Sequence, residues 1–121
     1  MNQTQERIKK FNLEREWGGM RELKDSLLNM TEEIGEFWNL VKWVDIPTQE
    51  KMIRENKEEA ENFIGDMLYL ILKISFMSNV DPQKAIDDVM EEYEKRFPLD
   101  QTKGRHGNLK AGGIDLKHQK K

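Results

Sequence analysis

Apolar side chains along this chain recur mostly at helical spacing. Between about Met20 and Val44, Leu23, Leu27, Met30, Ile34, Phe37 and Val41 fall three or four positions apart, the period of one helical face. The pattern predicts a first long helix of about six or seven turns. Asp45–Pro47 interrupts it, because Pro47 has no amide donor and restricts Ile46 before it, so a connection is expected there. A second long pattern starts near Thr48, passes through the charged stretch Arg54–Glu61 and turns strongly apolar from Phe63 to Met77. Burial is expected in its second half. Asn79–Pro82 reads as a turn, with Asp81 as N-cap and Pro82 as the first residue of a helix that runs to about Phe97, ahead of Pro98. A shorter helix is expected before Gly18.

These elements predict an all-α fold: three or four antiparallel helices joined by short connections, a bundle completed by oligomerisation into a homodimer or homotetramer. The expected division is a helical domain over residues 1–98 and a basic, glycine-containing tail over residues 99–121. From Gly104 to Lys121 the chain has many bases and little apolar content, and mobility is expected there.

Composition narrows the chemistry. With 121 residues there is room for one domain and one core. No cysteine is present, which rules out disulfides, thiolate metal sites and a cysteine nucleophile. The net charge of −3 mixes both signs and gathers acids in the middle of the sequence, so nucleic acid is not an expected partner. No apolar run approaches the roughly 20 residues of a membrane span, and Met1–Lys10 is charged, so no membrane partner and a cytoplasmic location are expected.

The chemistry that remains is that of carboxylates. Glu33 and Glu36 lie one turn apart in Thr31-Glu32-Glu33-Ile34-Gly35-Glu36, where their side chains converge on one cation or repel each other. The same spacing carries the stripe on to Leu40 and Trp43. Asp66 interrupts Phe63–Leu72, which is otherwise almost wholly apolar, and a carboxylate in apolar surroundings is costly unless paired or bound to metal. An oxygen-only donor set of this kind suits Mg2+ or Mn2+ better than zinc. The bland alternatives stay open: Glu32, Glu33 and Glu36 also read as a solvated helix face. Asp66 also reads as part of a water-facing stripe with Glu59, Asn62 and Lys73.

Glu32-Glu33-Ile34-Gly35-Glu36, then Ile64-Gly65-Asp66-Met67-Leu68, then Glu94-Lys95-Arg96-Phe97-Pro98 together resemble the MazG-like all-alpha nucleoside triphosphate pyrophosphohydrolases, over about Trp17 to Pro98. The resemblance implies magnesium-dependent hydrolysis of a nucleoside triphosphate to monophosphate and pyrophosphate, as nucleotide pool cleaning. It implies Glu33, Glu36 and Asp66 as metal ligands and Glu32 as the catalytic group that orients water. It also implies Trp43 as a base contact, with Lys95 and Arg96 as phosphate contacts. Trp17 and Trp38 are further flat faces, Trp38 reading more readily as a core or interface aromatic. Lys103, Arg105 and Lys110 are bases that could fold over a triphosphate. One position departs from the family: where it has glutamate, three residues before Asp66, this chain has Phe63. The alternative is therefore a catalytically degenerate relative that binds nucleotide or a protein partner without turnover.

Overall fold

A computed structural model describes residues 2–104 of the chain. Among them the regular structure is entirely helical. The elements are α1 (Asn2–Glu14), a 3-10 turn (Met20–Glu22), α2 (Leu23–Trp38), α3 (Ile46–Glu55), α4 (Lys57–Met77), α5 (Pro82–Arg96) and a single turn, α6 (Leu99–Thr102). They form two compact units, one ending at Asp81 and one beginning at Pro82.

In the first unit α4 is the common partner, packing most extensively along α2 and also against α1 and α3. Leu70 and Leu72 of α4 are its buried apolar residues. Asn12 is completely buried in α1, where its amide donates to the Ile8 carbonyl at 2.8 Å and its oxygen accepts from the Tyr69 hydroxyl at 3.3 Å. The Phe11 ring stands edge-on to Tyr69 at 6.1 Å and to Trp17 at 5.9 Å. Polar and aromatic contacts thus fasten α1 to α4 together.

A second fastening lies at the start of α2. Lys73, buried on α4, donates to Glu22 at 2.8 Å, and the other oxygen of Glu22 accepts the Gly18 amide at 2.5 Å. This hydrogen bond to Lys73, with the Gly18 amide adding to it, holds the Glu22 carboxyl below the usual range. The water-facing stripe of Glu59, Asn62, Asp66 and Lys73 is therefore corrected at its last member, which is buried and ion-paired.

The long helices are shorter than their periodicity suggests. α2 stops at Trp38, and Leu40, Val41 and Lys42 bond back to Phe37 and Trp38 in successive turns. The second pattern is cut at Asn56, whose backbone leaves helical geometry and whose amide caps the Met52 carbonyl at 2.8 Å. Asp45–Pro47 is a helix start as well as an interruption: Asp45 accepts the Thr48 amide at 2.9 Å as N-cap of α3.

Two helices end in the same way. After α1, Glu16 takes φ +57°, with Trp17 N–H bonding Asn12 and Glu16 N–H bonding Leu13. After α4, Asn79 takes φ +56°, with Val80 N–H bonding Ser75 and Asn79 N–H bonding Phe76. Both are Schellman caps with a left-handed residue just past the helix.

The second unit contains α5, laced by pairs one turn apart: Gln83 to Asp87 at 3.1 Å, Lys84 to Asp88 at 2.6 Å and Arg96 to Glu92 at 2.9 Å. Pro98 then caps α6, where the sequence suggested the tail begins, its carbonyl accepting the Thr102 hydroxyl at 2.7 Å. Arg105 and Lys110 lie outside the described residues. No single helix among the described residues is long and apolar enough to cross a membrane.

Candidate functional site

The packing of α2 on α4 leaves a cavity of about 140 Å³ between them, lined by Glu33, Glu36 and Phe37 from one helix and Glu59, Asn62, Phe63 and Asp66 from the other. Helical spacing explains the grouping. Positions 33, 36 and 37 share one face, as do positions 59, 62, 63 and 66. Four carboxylates line the space, and none of the lining residues is basic.

Glu33 shows what this arrangement does to charge. Partial removal from water pushes its carboxyl up, the negative charges of Asp66 and Glu36 push it further, and it stands within hydrogen-bonding reach of Asp66. Glu32 adds a smaller repulsion from outside the cavity lining. Glu33 and Asp66, predicted from separate motifs, are therefore neighbours, and Glu36 lines the same space. The expectation that Asp66 lies in apolar surroundings is corrected: its side chain is exposed on the cavity wall, because apolar neighbours along the sequence point to other faces of α4.

An oxygen-only set of this kind fits a hard divalent cation in donor chemistry, and positive charge is what the crowded acids lack. As positioned, however, no group of three or more His, Cys, Asp or Glu side chains among the described residues is arranged to hold a metal ion. Glu36 and Glu59 are exposed, so rotation of these two side chains, without backbone movement, is the available route to a closed set.

The Phe63 ring, at the departure from the family pattern, lines the same cavity and stacks on Phe37 with centroids 4.6 Å apart and planes 13° from parallel. Phe37 was legible only as a member of the apolar face. Its place four residues after Glu33 is the signal that sets it beside the acids.

The remaining candidates do not line the cavity. Trp43 sits on the turn after α2, 86% exposed, because the helix ends before the stripe reaches it. Lys95 and Arg96 belong to the second unit, where Arg96 is paired with Glu92 and lies 5.9 Å from the Phe97 ring centroid. Trp17 and Trp38 are both about half exposed.

The fold and cavity define a helical protein with an acidic site between two packed helices. Compared with known proteins, the chain matches no family model, no curated protein and no solved structure.

Proposed function

We propose that this chain is a magnesium-dependent nucleoside triphosphate pyrophosphohydrolase of the MazG-like type, and that the bundle is completed by a second copy. The observation that supports this reading most is the meeting of Glu33, Glu36 and Asp66, from two separate motifs, around one small cavity. In this reading those three residues hold Mg2+ or Mn2+, with Glu59 and Asn62 as auxiliary oxygen donors on the α4 side. The bound cation supplies positive charge to the triphosphate oxygens and Lewis acidity at the reacting phosphorus.

The chain's own groups do the rest. Glu32 orients the attacking water and accepts its proton as the water adds to phosphorus, and pyrophosphate leaves in line, giving a nucleoside monophosphate. Trp43 offers an exposed ring on which a base can stack. Lys95 and Arg96 are phosphate contacts on the strength of the resemblance alone.

The test is pyrophosphate release from a panel of nucleoside triphosphates, with Mg2+, with EDTA and in a Glu36→Ala variant. The proposal expects release that needs the metal and is lost in the variant; no release from any nucleotide contradicts it.

The stacked Phe37–Phe63 pair favours a second reading, a degenerate relative that binds without turnover, since a phenyl ring stands where a ligand carboxylate is expected. Phe63→Glu separates the two. Restoring the carboxylate raises the rate of a weakened enzyme and leaves a pure binder inactive.

A further inference from the structure

Two exposed surfaces of this chain complement each other, and neither takes part in the proposed chemistry. The first is a groove of about 480 Å³ between α1 and α4, walled by Ile8, Phe11, Leu68 and Leu72, with Arg7 and Gly65 also in its lining. Phe11 and Leu68 remain 39% and 52% exposed. No atom lies within 4 Å of where a Cβ on Gly65 would stand, so the glycine leaves the α4 backbone open to close approach. An apolar groove between two helices is a receptor for an amphipathic helix.

The second surface is such a helix. On the 15-residue α5, Ile86, Val89, Met90 and Tyr93 follow the spacing of one face. They are 45%, 38%, 47% and 44% exposed. Charge matches as well as shape. α5 carries Asp87, Asp88, Glu91, Glu92 and Glu94 against Lys84, Lys95 and Arg96, and α1 carries Arg7, Lys9, Lys10 and Arg15 against Glu6 and Glu14. The helix is net acidic and one wall of the groove is net basic, which favours their encounter and sets its register.

We propose that α5 of one copy of this chain docks in the α1/α4 groove of a second copy, with the Ile86–Tyr93 stripe covering Ile8, Phe11, Leu68 and Leu72. Glu94 follows Tyr93 at the edge of the stripe and faces Arg7. Every copy carries one groove and one stripe, so a two-fold pair satisfies both contacts at once. This surface does not depend on the metal or nucleotide chemistry above, and its test reads assembly rather than catalysis.

Sedimentation of the full chain over a range of concentrations gives the mass of the species present. Gly65→Leu fills the groove, and because glycine is a weak helix former the variant holds or raises its melting temperature. Met90→Glu sets a charge in the middle of an exposed stripe. The wild type is expected to be a dimer, and each variant a monomer at the same concentration. An equimolar mixture of the two variants, which keeps one intact contact, regains a dimer that dissociates more readily than the wild type. Arg7→Glu and Glu94→Arg each weaken the dimer, and together they restore it. A wild type that is monomeric at every concentration overturns the proposal, as does a dimer that neither Gly65→Leu nor Met90→Glu dissociates.

Discussion

At the scale of single residues, Glu33 reports the state of the cavity. Partial desolvation, Asp66 and Glu36 raise its carboxyl above the ordinary value, so the folded state holds its proton more tightly than the unfolded chain does. Its contribution is fully favourable below the unfolded pKa and is lost as pH rises through the folded pKa. Glu33→Gln should therefore raise the melting temperature at neutral pH in EDTA, with the gain shrinking as the solution is acidified. A melting series by circular dichroism checks this, and a variant less stable than wild type at pH 7 contradicts it. Glu22 behaves in the opposite sense. Lys73 lowers its pKa, so the stabilisation is present above the unfolded value and disappears as pH falls through the folded one. Lys73→Met should lower the melting temperature by several degrees by leaving Glu22 without its partner. Glu22→Leu combined with Lys73→Met should recover part of that loss, because apolar groups can replace a buried pair. Gly18 is constrained by both backbone and space: φ is +94°, and a Cβ there would meet the Phe76 ring. Gly18→Ala should cost at least about 2 kcal/mol in urea unfolding.

At the scale of elements, the helices were legible from apolar spacing and their ends were not. Periodicity runs smoothly through Leu40 and Val41, yet α2 stops at Trp38, and it runs through Asn56, where the chain breaks. Both ends are decided by backbone and side-chain hydrogen bonds that apolar spacing does not encode. The Schellman caps make the same point. Asn79 is a residue that tolerates left-handed geometry and was read as a turn, but Glu16 gives no such signal. Glu16→Gly should add roughly 0.5–1 kcal/mol to the stability by removing the cost of a left-handed glutamate, which denaturant unfolding would register. The site was legible to the same depth. Two motifs separated by thirty residues of sequence named Glu33, Glu36 and Asp66, and the packing of α2 on α4 brings them to one cavity. Trp43 was assigned by extending a helical stripe past the point where the helix ends. Lys73 looked like part of a solvated face because its partner, Glu22, is far away in sequence and could not be seen from spacing.

At the scale of the whole molecule, the apolar residues outnumber the places a single chain provides for them. Leu70 and Leu72 are buried, whereas Leu27, Leu28, Ile34 and Trp38 on α2 and Ile64, Leu68 and Ile71 on α4 are 44–56% exposed. Exposed apolar area of this extent on packed helices belongs to an assembly. Stability should accordingly rise with protein concentration, since association favours the folded state by mass action, and melting at two concentrations ten-fold apart would reveal it. An unchanged melting temperature across that range would mean that the single chain is self-sufficient. The central claim concerns the acidic cavity, and the most direct measurement is Mn2+ binding to metal-stripped protein, followed by electron paramagnetic resonance in wild type, Glu36→Ala and Asp66→Asn. Saturable binding by the wild type, competed by Mg2+ and lost in both variants, is the predicted result. Absence of binding, or binding that both variants retain, would contradict it.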